Sequence, residues 1–340
     1  MNLAEALRLT DVPCLALVGA GGKTTALFQL ARTLAPAVVT TTTHLGAWQI
    51  SQADRYFALA EDIPRPNIES ELDSGIMLVA GSLEGDRLKG LDKNSLSWLR
   101  AVCRRHNLPF LIEADGSRQR PLKAPAKHEP VVPEFVETVV IVAGLSGLGK
   151  PLTSEYVHRP EIFARLSGLD VGQTITPEAV IRVLTHPAGG LKNIPPQTRR
   201  IALLNQADTL ELQSKGKWMA ERMLSYYHAI IIASLDPQPA IFAVHEPVAG
   251  IILAAGASER LGQPKQLLDW HGQPFIRTVA QTALAANLSP VIVVTGSHAE
   301  EVEAVIKDLP VKIVHNAKWQ SGQSSSIRAG LSALTLLPGL

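Results

Sequence analysis

Cys14-Leu15-Ala16-Leu17-Val18-Gly19-Ala20-Gly21-Gly22-Lys23-Thr24-Thr25-Ala26-Leu27-Phe28 is the stretch whose reading decides the fold of this chain. Cys14 to Val18 is a short apolar run of the kind that forms a buried strand, and from Thr24 to Leu34 Ala, Leu and Phe recur at helical spacing. Between them lies a glycine-rich turn. A strand, a glycine loop and a helix in that order bring backbone N–H groups and a helix N-terminus to one point, where anionic oxygens are stabilised. Gly19, Gly21 and Gly22 leave room for those oxygens, Lys23 supplies a cation for terminal phosphates, and Thr24, with Thr25 behind it, supplies a hydroxyl for Mg²⁺. Leu17 stands where the common eight-residue form of the motif has its first glycine, so the motif here is the shorter Gly-x-x-Gly-Lys-Thr.

Further apolar runs at Ala37 to Thr42, Ile76 to Ala80, Phe110 to Ala114, Val139 to Ala143, Ile201 to Asn205 and Ala229 to Ala233 read as strands. Several are separated by stretches long enough for crossover helices. The expected fold class is α/β: a P-loop NTPase-like, mostly parallel sheet covered on both faces. Asp236 to Pro247 is punctuated by proline and lacks periodicity, which reads as a linker. Strand patterns resume at Gly250 to Ala254, Pro290 to Thr295 and Val311 to Val314, with helical patterns at Arg277 to Ala286 and Ala299 to Lys307. The expected division is a domain over 1–240, a linker over 241–248 and a Rossmann-like domain over 249–340.

Composition narrows the function. The 340 residues carry 32 Lys and Arg against 31 Asp and Glu, a net charge of +1, so no global field recruits nucleic acid or an anionic membrane. Any phosphate site is local. Cys14 and Cys103 are the two cysteines, far apart in sequence, which fits a reducing compartment and speaks against a disulfide frame or a thiolate zinc site. The start has no leader pattern and no apolar run approaches the length of a membrane span, so the expected location is the cytoplasm.

Beyond the glycine loop, Leu111-Ile112-Glu113-Ala114-Asp115-Gly116 ends a strand with two carboxylates on one face, suited to Mg²⁺ or to orienting water. Asp115 and Lys23 are the expected catalytic pair of this domain; Thr24, Glu113 and Asp115 are the expected metal ligands. Gly144-Leu145-Ser146-Gly147-Leu148-Gly149-Lys150 has full glycine-to-lysine spacing, but Pro151 follows, offering no hydroxyl, and no amphipathic helix does. It reads as a surface turn. Asn205-Gln206-Ala207-Asp208 resembles the base-reading Asn-Lys-x-Asp element of GTPases, with Asn205 and Asp208 as candidate nucleotide contacts and Gln206 in place of the Lys. GTP is the expected nucleotide at the loop, with ATP as the alternative; a plain helix cap by Asp208 is the other reading of that residue.

The glycine loop, Glu-Ala-Asp-Gly-Ser, Pro121-Leu122-Lys123-Ala124-Pro125, His128-Glu129-Pro130 and Val157-His158-Arg159-Pro160-Glu161 together resemble the YqeC-type accessory proteins of selenium-dependent molybdenum hydroxylases. The resemblance spans about 1–239. It implies a part in making or inserting a selenium-containing cofactor, with an apo-hydroxylase as partner. Ile252-Leu253-Ala254-Ala255-Gly256-Ala257-Ser258-Glu259-Arg260-Leu261-Gly262-Gln263-Pro264-Lys265 combines small residues with one Arg and one Lys, which suits a nucleotide's base and the charge of its triphosphate. This stretch resembles the MobA-like nucleotidyltransferases, and looks closer to the cytidylyl branch, which implies CTP and a molybdopterin-type substrate.

Leu253, Ala254, Ala255, Gly256, Ser258, Arg260, Gly262 and Lys265 are then expected nucleotide contacts, with Arg260 and Lys265 catalytic. Asn316, Gly322 and Ser325 resemble the same family's substrate loop. That family also carries a metal-binding Asp on a later strand, so the transferase domain is expected to be incomplete at its C-terminal side. Two other readings stand beside this one: ATP-dependent carboxylate–amine ligation by the first domain, and a non-catalytic scaffold switched by bound nucleotide.

Overall fold

The computed structural model describes residues 1–10, 12–59 and 67–335. Its chain divides into two compact units, Met1–His245 and a second beginning at Glu246.

In the first unit, β1 (Cys14–Gly19) runs into α1 (Lys23–Thr33) and then β2 (Ala37–Thr41), β3 (Arg55–Ala58) and β4 (Ile76–Ala80). Helix α2 (Lys93–Arg105), β5 (Phe110–Glu113), β6 (Thr138–Gly144), α3 (Pro160–Ser167) and α4 (Pro177–Thr185) follow. The unit ends with β7 (Arg199–Asn205), α5 (Leu210–Met223), β8 (Ala229–Ser234) and β9 (Ala240–His245). These nine strands form one sheet in the order β9-β8-β7-β6-β1-β5-β2-β4-β3, and every pair is parallel except β8–β9.

The strands are apolar at nearly every position because both faces are covered. Leu15 and Leu17 of β1 pack with Leu27, Phe28 and Leu30 of α1, while Cys14, Ala16 and Val18 pack with α2, α3, α4 and α5 through residues such as Leu99, Phe163, Val183 and Met219. From β1 the chain winds toward β2 on one side, and from β6 toward β7 and β8 on the other. The order reverses between β1 and β6, and in open parallel sheets ligands bind beyond the carboxyl ends of the strands at such a reversal.

The linker expected over Asp236 to Pro247 is in large part β9, an edge strand antiparallel to β8 with a register break between Ile232 and Ala233. Prolines at 237, 239 and 247 flank the strand rather than interrupt it, which is where an edge tolerates them. Among the described residues, no helix is long and apolar enough to cross a membrane.

In the second unit β10 (Gly250–Leu253), β11 (Val291–Thr295) and β12 (Lys312–His315) form a parallel sheet in that order. Helices α6 (Phe275–Ala285), α7 (Ala299–Ala304) and α8 (Gln323–Thr335) complete it, α7 ending earlier than the expected Lys307. Ile276 and Val302 pack on one face with Val293; Ala329 and Ala333 lie on the other with Ile292 and Val294.

Candidate functional site

The glycine loop is held by backbone contacts that exclude a side chain. Gly19 and Gly21 have φ of 97° and 82°, and a Cβ on them would lie 2.2 Å from Val142 O and 2.3 Å from Gly144 N. Gly21 N–H donates to Arg120 O at 3.0 Å and Gly144 N–H to Pro121 O at 2.8 Å, so three loops meet here. Gly22 is the N-cap of α1, with no side-chain cap on the free amides of its first turn.

Lys23 and Thr24 begin α1 and meet both carboxylates. Lys23 Nζ donates to Gly19 O at 2.7 Å and lies 3.3 Å from Asp115 Oδ1 and 4.0 Å from Glu113 Oε1. Thr24 Oγ1 donates to Glu113 Oε2 at 3.1 Å. Gly19 N–H lies 3.0 Å from each oxygen of Asp115. The carboxylates thus share the face that sequence placed them on, although β5 itself stops at Glu113. Burial pushes the Glu113 carboxyl up, with Asp115 adding to the rise and Lys23 and Thr24 opposing it.

Beyond Asp115 the charges continue. Lys123 Nζ donates to Asp115 Oδ2 at 2.7 Å, to Gly116 O at 2.7 Å and to Glu129 Oε2 at 2.8 Å, using all three of its protons. Arg159 grips Glu129 with two bonds of 2.8 Å. Leu122–Lys123 pairs in parallel with Val157–His158, which sets Arg159 beside Glu129. Burial pushes Glu129 up, but Arg159 and Lys123 outweigh it and hold the carboxyl at about 2. His158 is pulled down to about 4 by burial, with Arg159 and Lys123 adding to the effect.

A charged loop such as that over 115–130 suits an anionic second substrate or is merely solvated; in the structure Lys123 and Glu129 are instead buried and paired, and Arg159, for which sequence offers no role, completes the set. The available signal was a charge set between prolines and apolar residues, as in Pro-Leu-Lys-Ala-Pro, where a solvated loop has no need of them.

The loop over 144–150 is not the surface turn expected. Gly144, Leu145, Gly147 and Leu148 are buried, and only Gly149 and Lys150 are exposed. Ser146 Oγ donates to Gln206 Oε1 at 2.6 Å, so this loop braces Gln206 instead of offering a helix N-terminus. Asn205 lies inside the protein: Nδ2 donates to Gly21 O at 2.7 Å, and Oδ1 accepts from Leu235 N–H at 3.1 Å. Asp208 is not the cap of α5, since Thr209 accepts from Leu212 N–H. Thr25 follows Thr24 in the first turn of α1.

In the second unit, Leu253, Ala254, Ala255, Gly256, Ser258, Gly262 and Lys265 lie at and beyond the carboxyl end of β10. A buried residue overlooked in the sequence, Gln266, holds this loop: its Nε2 donates to Ala254 O at 3.0 Å and Gly256 O at 2.8 Å. Lys265 N–H donates to Ser258 Oγ at 3.1 Å, and the Lys265 side chain is exposed. The Arg260 side chain lies outside the described residues. Asn316, after β12, donates through Nδ2 to Ser325 Oγ at 2.8 Å and Ser326 Oγ at 3.0 Å, pinning the turn that contains Gly322 to α8. A Cβ on Gly296 would be 2.7 Å from Ala255 O and 2.8 Å from Trp319 Cβ, so close approach there brings the two loops together.

Glu113, Asp115 and Thr24 are hard oxygen donors side by side, the donor chemistry Mg²⁺ takes. No group of three or more His, Cys, Asp or Glu among the described residues is arranged to hold a metal, so phosphate and water oxygens would complete such a shell.

Fold and sites together define an α/β protein with a carboxylate-backed glycine loop, joined to a MobA-like NTP transferase domain whose family model matches residues 250–337. The YqeC protein family model matches residues 15–161, and the uncharacterized protein YqeC of Escherichia coli strain K12 is 31% identical over 238 residues, 67% of this chain and 89% of that protein. The chain belongs to the YqeC family. Its second unit is similar to nicotine blue oxidoreductase of Paenarthrobacter nicotinovorans, 41% identical over 87 residues, which are 25% of this chain and 43% of that enzyme. It is also similar to a probable molybdenum cofactor guanylyltransferase of Bacillus cytotoxicus, 34% identical over 76 residues, 22% of this chain and 37% of that protein. The chain thus spans less than half the length of these two relatives. No solved structure matches it.

Proposed function

We propose that this chain is an accessory protein for maturation of a molybdenum hydroxylase's cofactor, with a nucleoside triphosphate site in the first unit and a nucleotidyl-transfer site in the second. The observation that carries the first site is the meeting of Lys23, Thr24, Glu113 and Asp115 within 3.1–4.0 Å at the N-terminus of α1. A triphosphate on the amides of α1 draws Lys23 from Gly19 O toward its terminal oxygens. Thr24 with Glu113 would hold Mg²⁺, which supplies charge neutralisation on those oxygens. Asp115, fixed by Gly19 N–H and Lys123, keeps the loop closed behind them.

In the second unit Arg260 and Lys265 are assigned to the nucleotide's phosphates. A terminal phosphate oxygen of a molybdopterin-type substrate attacks the α-phosphorus, the α–β bond breaks, and pyrophosphate leaves with the nucleoside monophosphate transferred. CTP is the reading carried by Leu253-Ala254-Ala255-Gly256 together with Pro264-Lys265-Gln266-Leu267-Leu268; the guanylyltransferase relative favours GTP there as the second reading. A selenium-containing cofactor and an apo-hydroxylase partner belong to the family resemblance of the first unit.

Calorimetric titration of the full chain with GTP, ATP and CTP in Mg²⁺ tests the assignment. Lys23→Ala is expected to remove one nucleotide site and spare the other, and Lys150→Ala to leave both. Unchanged binding in Lys23→Ala would sink the first-unit site.

A further inference from the structure

Asp208 is exposed and caps no helix, and its partner among the described residues is a hydroxyl and not a cation. Its Oδ1 accepts from Ser234 Oγ at 2.5 Å, and Ala207 N–H donates to Ala233 O at 3.0 Å. Asn205, three residues earlier, joins Gly21 O to Leu235 N–H, and Gln29 of α1 donates to Leu235 O at 2.6 Å. The glycine loop, the turn after β7 and the turn after β8 are therefore one hydrogen-bonded unit at the carboxyl edge of the sheet. Whatever occupies the glycine loop has this carboxylate built into the same rigid frame.

We infer that this unit is a base subsite for guanine, in which Asp208 reads the base and Ser234 is the positioning residue that sets its carboxylate. The inference rests on the triphosphate reading of the glycine loop and adds the base to it. A carboxylate is an acceptor only. Guanine offers N1–H and N2–H side by side, two donors that match the two oxygens of one carboxylate. Adenine presents an acceptor at N1 beside its amino group, so one carboxylate oxygen would face a lone pair. Ser234 fixes the rotamer by donating to Oδ1, which keeps the carboxylate plane set before the base arrives. Gln206, where GTPases place a Lys, is held by Ser146 at φ +60°, so the 144–150 loop fixes the backbone from which Asp208 projects.

Equilibrium binding of the full chain to GTP, ATP and xanthosine triphosphate in Mg²⁺ tests this. The unaltered chain is expected to bind GTP at least about tenfold tighter than ATP, the scale of one charge-assisted hydrogen bond. Asp208→Asn should weaken GTP by a similar factor and tighten xanthosine triphosphate, whose C2 oxygen accepts from the new amide. That gain also shows the variant is folded. Ser234→Ala should weaken GTP severalfold with ATP unchanged, and Ser234→Thr should restore it.

Equal affinity for GTP and ATP, or an Asp208→Asn chain with unaltered preference, overturns the base subsite. Lys23→Ala separates the two levels. If the number of GTP sites per chain is unchanged in it, the triphosphate reading itself fails; if one site is lost while Asp208→Asn changes nothing, the guanine inference alone fails.

Discussion

At the scale of single residues, the glycine loop is fixed by what it cannot contain. Gly21→Ala places a methyl 2.3 Å from Gly144 N at a φ of 82°. Left-handed backbone and overpacking each cost on the order of 1–2 kcal/mol, so urea unfolding should show a loss of about 2 kcal/mol or more. An unchanged midpoint would mean the loop does not approach β6 as described.

Acid sensitivity belongs to this scale too. Glu129, held at about 2, releases its proton more readily folded than unfolded; its contribution is complete above the ordinary carboxylate range and is lost as pH falls toward 2. His158, pulled to about 4, acts in the same direction from about 6.5 downward. Stability should therefore fall from pH 7 toward pH 3, with His158→Gln flattening the upper part of the curve and Glu129→Gln the lower. Glu129→Gln should also cost about 3 kcal/mol or more at pH 7, because Lys123 and Arg159 lose a buried counter-charge. Lys23 and its carboxylates were legible in sequence because glycine spacing and strand alternation announce them. Lys123, Glu129 and Arg159 were not, because their charged partners are 6 to 30 positions away, a pairing made by loops without periodicity.

Among the elements, strands were the most legible: buried parallel strands are continuous apolar runs, and those runs gave most boundaries to within a residue or two. β9 escaped because an edge strand is buried on less of its surface and prolines flank it, so its apolar pattern looked like linker. A consequence follows for fragments. A chain ending at residue 239 leaves the pairing edge of β8 open, whereas one ending at 245 covers it. Light scattering during refolding should show association of the shorter fragment and much less for the longer; equal behaviour would mean β9 contributes nothing to the edge. The 144–150 loop was misread for a related reason. Its spacing is that of a phosphate loop, and only tertiary structure shows that Ser146 is spent on Gln206, Gly144 on Gly21 and Gly147 on Leu122.

For the whole molecule, two units with separate sheets and separate glycine-bearing loops lead to an expectation of independent sites. Lys23→Ala and Lys265→Ala should each abolish one nucleotide-binding event and leave the other's affinity within about twofold, as energetically independent sites do. Strong mutual dependence in calorimetry would refute that independence. The second unit's class was legible because its loop residues lie in one continuous stretch, while Gln266, which holds that stretch, looked like an ordinary polar residue until its carbonyl partners were seen.

The run of ion pairs from Lys23 to Arg159 has a bearing on how this protein can change over generations. Asp115, Lys123 and Glu129 lie in the connection between β5 and β6 and Arg159 beyond β6, yet altering any one removes a counter-charge from a buried neighbour. Selection would then treat them as a single trait, with drift at one position blocked until a compensating change arises at another. Variation at this end of the sheet would arrive in matched sets.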